Sequence, residues 1–150
     1  MKLSKLILVT ALLPFMLGAC DTLEVDNRKF DGDPKLEFAP TSETVDEGAG
    51  PVSTEIQLIG PQRSSDLPVS FSVADSSTAE EGTHFNLAST SATISANSSQ
   101  TSVSVEVLDN NIDDGDTNYV LYLNLQNSQG IEAAENLRTF TLTIRGVDEE

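Results

Sequence analysis

The side chains of this chain that could do chemistry are few: one cysteine, one histidine and 24 carboxylates among 150 residues. His84 stands alone, and no glycine-flanked serine provides the nucleophile elbow that would need it. A single imidazole at a loop–strand junction is expected to be structural. Zinc requires a set of thiolates and imidazoles that one cysteine and one histidine do not supply. Asp113 and Asp114 could suggest glycoside hydrolysis, which needs two acids roughly 5–10 Å apart across a cleft. They are adjacent in turn material, and a chain without tryptophan has little to stack on a sugar ring. These residues predict a protein that is not an enzyme.

Cys20 has a different use. Lys2 and Lys5 precede an apolar run from Leu6 to Leu17, then Gly18 and Ala19 lead to the thiol. A basic start, an apolar stretch of about a dozen residues and a small-residue exit make an export signal rather than a membrane span. Leu17-Gly18-Ala19-Cys20 resembles the bacterial lipobox, in which the cysteine receives a diacylglycerol thioether before the signal is cut away. The resemblance implies a signal peptide over 1–19 and a mature protein that begins at a lipidated Cys20. The expected location is the bacterial cell envelope, with the outer membrane preferred. Asp21 after the cysteine retains lipoproteins at the inner membrane in some bacteria but not in all.

Removing the signal takes away two of the eight basic residues, so six face 24 acidic ones and the net charge becomes −18. Such an excess argues against nucleic acid as a partner, because its binders need a basic footprint. It also opposes adsorption to anionic headgroups. Acyl chains at ~0.8 kcal/mol per buried CH₂ outweigh that repulsion, so the membrane is reached through the anchor. With Cys20 lipidated no thiol is left for a disulfide, and the fold must hold by packing.

Residues 20–35 are polar, acidic and broken by Gly32 and Pro34, as a flexible tether would be. Within them Asp21-Thr22-Leu23 resembles a short bacterial O-glycosylation sequon, but three residues are little to go on and a plain linker is the preferred reading. From residue 36 onward the apolar period becomes two. Val52–Leu58, Val69–Val73, Thr101–Val107, Tyr119–Leu125 and Phe140–Ile144 each place β-branched, aliphatic or aromatic side chains on one face. Leu36–Phe38 and Ala92–Ser95 are weaker candidates. Gly60-Pro61, Asp75-Ser76-Ser77, Asn97-Ser98-Ser99, Asp109-Asn110-Asn111 and Gln129-Gly130 supply the turns. Seven or so short strands over 36–150 predict one all-β domain, an immunoglobulin-like antiparallel β-sandwich. Ile131–Leu137 is rich in helix formers and predicts a single helical turn before the last strand.

The loops between these strands resemble those of the Calx-β domain. Val45-Asp46-Glu47-Gly48 is similar to the V-x-E-G near the start of that family, and Phe71–Phe85 to its strand followed by D-G-T-A-x-x-G-x-D-Y. Thr78, Ala79 and Gly82 match, Phe85 replaces the tyrosine, and Ser76-Ser77 is one residue longer than the usual glycine. Asp109-Asn110-Asn111-Ile112, then Asp113-Asp114-Gly115-Asp116 and Tyr119, resemble its D-D-x-I-x-E-x-D-E-x-F. The family's members are seven-stranded sandwiches found in sodium–calcium exchangers, an integrin subunit and many bacterial surface proteins.

In calcium-binding members, carboxylates from loops at one end of the sandwich hold the ions. Carried over, the resemblance makes Glu47, Asp109, Asn110, Asp114 and Asp148 the candidate calcium ligands. Asn110 replaces an aspartate with a neutral carbonyl, and Asp114 replaces a glutamate with a shorter arm. His84 and Thr117 stand where the family has acids, and Arg145-Gly146-Val147 interrupts its closing run of aspartates. Ca²⁺ takes six to eight oxygens, so the surviving set implies at most a weak site of the millimolar extracellular kind. The same residues serve equally as polar turn residues, and the lost positions favour that alternative.

Two functions remain in view. One is a binding or adhesion module that presents sandwich loops or an edge strand to an envelope protein or a glycan. The other is a structural accessory subunit of an envelope complex of the glycan-uptake type.

Overall fold

Period-two sequences that bury one face must pair into sheets and stack those sheets, and this chain does so twice over. The computed structural model describes residues 30–109 and 117–147. Ten strands run through them: β1 (Lys35–Ala39), β2 (Ser42–Asp46), β3 (Gly50–Ile59), β4 (Leu67–Val73), β5 (Phe85–Leu87), β6 (Ser91–Ile94), β7 (Gln100–Val107), β8 (Asn118–Leu125), β9 (Glu132–Ala133) and β10 (Thr139–Arg145). They form two five-stranded sheets, ordered β5-β7-β3-β1-β9 and β2-β10-β8-β4-β6. The immunoglobulin-like sandwich expected from the sequence is what the chain adopts.

The five long alternating runs lie within β3, β4, β7, β8 and β10, and the two weaker ones correspond to β1 and β6. Three strands exceed the sequence expectation. β2 (SETVD) is an edge strand whose residues are exposed apart from half-buried Val45, so it shows no apolar alternation. β5 and β9 have three and two residues, too few to show a period. The sheets are also not wholly antiparallel, since β1 pairs parallel with β9 and β2 parallel with β10.

The helical turn expected over 131–137 is replaced by β9 and a tight turn. Leu137 N–H donates to the Ala134 carbonyl at 3.0 Å, and Ala134 N–H to the Leu36 carbonyl at 2.8 Å. Burial of Ile131 and Ala133 against the core, together with pairing to β1, overrides the local helix preference.

Between the sheets lies one apolar core. Phe38 meets Phe140 at 5.9 Å and Phe71 at 6.4 Å between ring centroids, the second pair edge-on. Leu36, Ile56, Leu121, Leu123, Leu125, Leu142 and Ile144 fill the space around them and are fully buried.

Strand directions give the sandwich two distinct ends. At one, β1 begins beside the end of β3, with Lys35 opposite Ile59. Lys35, the last residue assigned to the tether, is thus the first of β1. Phe30 packs there too: a Cβ on Gly60 would lie 3.4 Å from its ring and 3.2 Å from Pro34. After β1 the chain crosses at Pro40-Thr41 to the other sheet and continues as β2 to Asp46 at the opposite end. The crossing is fixed by Thr54, 1 % exposed, whose hydroxyl donates to the Pro40 carbonyl at 2.9 Å.

Candidate functional site

The second end gathers the loops in which the sequence placed its candidate ligands. Glu47 follows β2, and its N–H donates to the Arg145 carbonyl at the end of β10 at 2.8 Å. Gly48 N–H donates to the Leu108 carbonyl at 3.1 Å, tying this turn to the residue after β7. Gly48 has φ +69°, and a Cβ there would stand 3.1 Å from Cβ of Asp109. Glycine is needed at that position both for its backbone angle and for the closeness of Asp109. The turn that carries Glu47 is therefore held against Asp109, distant in sequence, through Gly48.

Burial separates the two carboxylates. Glu47 is 8 % exposed, and its Oε1 accepts the Val147 N–H at 3.2 Å. Asp109 is exposed. The segment after β10 thus reaches Glu47, as the family resemblance implied, but Arg145-Gly146-Val147 brings no acid with it. Arg145 brings a positive charge instead, and its guanidinium contacts Asp46 at 2.7 Å. Asn110, Asp114 and Asp148 lie outside the described residues, as does Cys20. Among the described residues no group of three or more acids, histidines or cysteines is placed to hold a metal ion. Glu47 and Asp109 by themselves fall short of the six to eight oxygens that calcium takes.

His84, which stands where the family resemblance puts an aspartate, is 7 % exposed. Its Nδ1 accepts the Glu80 N–H at 2.9 Å and its ring stacks on Tyr119 at 3.9 Å. Its carbonyl accepts the Leu108 N–H at 3.0 Å, next to Asp109. That is the structural histidine the sequence predicted, and it fastens the 80–85 turn to the end of β7 and the start of β8. Neither the stack nor the Nδ1 bond carries a sequence signal.

Near the other end, a shallow cleft of about 510 Å³ runs beside β9, lined by Lys35, Asn127, Glu132, Glu135, Leu137 and Arg138 among others. Lys35 and Glu132 pair across it at 2.6 Å. The lining holds two cations and two carboxylates, with no directional charge to select a ligand.

The fold is thus a two-sheet sandwich that places a buried and an exposed carboxylate in the loops of one end. The chain belongs to the Calx-beta domain family, whose profile matches residues 30–145. Among solved structures it is similar to the Calx CBD1 domain in its apo form, with 21 % identity and a TM-score of 0.67 over 78 % of this chain and all of that one. It is also similar to the calcium binding domain CBD12 of CALX1.1, with 22 % identity and a TM-score of 0.65 over 76 % of this chain and 45 % of that one. The chain therefore spans less than half of that longer structure. A more distant likeness is to the periplasmic chaperone SfaE, with 10 % identity and a TM-score of 0.51 over 74 % of this chain and 57 % of that one. No curated protein sequence matches the chain.

Proposed function

We propose that this Calx-beta chain is a non-catalytic binding or adhesion module, held on a bacterial envelope membrane by a lipid on Cys20. In this reading it presents the Glu47–Asp109 end of its sandwich to an envelope protein or a glycan. The observation that carries the reading is the convergence of the 47–49, 80–85, 108–109 and 145–147 segments at one end, locked by backbone hydrogen bonds. A rigid loop platform suits recognition, because little conformational freedom is lost on binding. The engagement of His84 on both its ring and its Nδ1 supports a role without turnover.

The anchor is tested by metabolic labelling with a fatty acid. Label enters the native chain and is lost in Cys20→Ala, which fractionates as soluble; label on both chains overturns it. Affinity capture from solubilised envelope tests the module. A glycan or a substoichiometric protein hit supports it, and a stable stoichiometric membrane partner replaces it with the accessory-subunit reading.

A second reading rests on the buried Glu47 carboxylate beside Asp109: a weak calcium site completed by Asn110, Asp114 and Asp148. A ligand bound only by the native state must raise the melting temperature. Millimolar calcium would then raise the circular dichroism melting midpoint relative to EDTA, and an unmoved midpoint removes the site.

A further inference from the structure

We infer that the sandwich stands on its membrane with the Phe30 end toward the bilayer and the Glu47–Asp109 end pointing away from it. This rests on the lipid anchor proposed above and adds an orientation, and with it the surface open to partners. Partners are then met in the aqueous space beyond the domain, at the loops of its far end, and not at the lipid surface.

Three observations carry it. First, Phe30 and the start of β1 lie at one extreme of the long axis. Phe30 packs against the Gly60 turn and β1 starts opposite Ile59, so any pull from the N-terminal side acts on this end. Second, the long axis is not short against the tether. β3 alone has ten residues, roughly 33 Å of strand. Ten residues separate Cys20 from Phe30 and span at most ~35 Å when fully extended. For the far end to reach the bilayer the domain must lie down or invert, and inversion uses nearly the full ~35 Å that ten residues can span.

Third, charge opposes that inversion. The far end carries Asp46, Glu47, Glu80, Glu81 and Asp109 against Arg145, which is already paired with Asp46. The Phe30 end and its flanks hold Lys35, Arg63 and Arg138 against Asp31, Asp33, Asp66, Glu132 and Glu135, a net of −2 (3 − 5) where the far end carries −4 (1 − 5). Anionic headgroups therefore repel the far end more strongly.

Cys20 is the only cysteine of the chain and is consumed by the anchor, so an introduced cysteine is the sole free thiol. Ser65→Cys marks the Phe30 end in the exposed β3–β4 loop, and Ala49→Cys marks the far end at an exposed turn. Each lipidated protein is placed in vesicles, labelled with a donor dye and read by energy transfer to an acceptor on the lipid headgroups. Transfer several-fold stronger from position 65 than from position 49 is expected. Equal or reversed transfer from protein that co-sediments with the vesicles overturns the orientation and leaves the anchor standing. Protein that stays in the supernatant, with no transfer from either position, overturns the anchor and the orientation together.

Discussion

The Thr54 hydroxyl donates to the Pro40 carbonyl at 2.9 Å, joining the middle of β3 to the bend where the chain changes sheets. Thr54→Val keeps the shape and removes the donor, leaving a part-buried carbonyl without its partner. Chemical denaturation should report a loss of about 1–3 kcal/mol. An unchanged midpoint would mean that water replaces the bond at no cost.

Gly48→Ala meets two obstacles at once, a backbone angle that alanine disfavours by roughly 1–2 kcal/mol and a new Cβ against Asp109. The variant should lose at least that much stability. Amide shifts should change at Leu108 and Asp109 while the Gly60 turn stays unaffected, and changes spread evenly over both ends would contradict the local contact.

Phe140→Ala empties the place where one ring touches Phe38 between the sheets. Truncation of a fully buried phenylalanine costs about 3–5 kcal/mol, enough to leave a domain of this size marginal or unfolded. Phe140→Leu, which keeps most of the volume, should fold and lose less. A Phe140→Ala variant as stable as the parent would place the centre of the core elsewhere.

Lys35 and Glu132 shift each other's protonation. The hydrogen bond from Lys35, followed by its charge, holds the Glu132 carboxyl below its usual range, and the bond to Glu132 holds the Lys35 ammonium above its own. For Glu132 the linked stability is full above the ordinary carboxylate value and is lost as pH falls through the lowered one. For Lys35 it is full below the ordinary ammonium value and is lost as pH rises through the raised one. Both groups are solvated, so the effect is small and weakens with salt. Carbon-13 titration of Glu132 in Lys35→Met should show its midpoint move up toward the usual value, and an unmoved midpoint would sink the coupling.

The long strands were legible because each buries one face against a single core, which writes period two directly into the residues. β2 was illegible for the opposite reason: it lies at an edge and meets the core only through half-buried Val45. Tyr119–Leu125 was legible despite Val120 and Tyr122, which blur its outer face. Both are half-buried, and the 74–79 segment runs beside that strand, donating from Ala74 to the Tyr122 carbonyl and from Thr78 to the Val120 carbonyl. Of the candidate site, Glu47 and Asp109 could be named from motif resemblance. Their adjacency, and the Val147 N–H that meets Glu47, come from which strand ends coincide, and no local pattern records that.

The step of the chain from one sheet to the other has a mechanical side. A load applied between the Phe30 end and the Glu47 end runs along β1 and then β2. The bonds that join β1 to β3 lie across that line, and those from β2 to β10 are slanted to it. They are sheared together rather than peeled one at a time, so such a load is borne by two sets of bonds that must fail as groups.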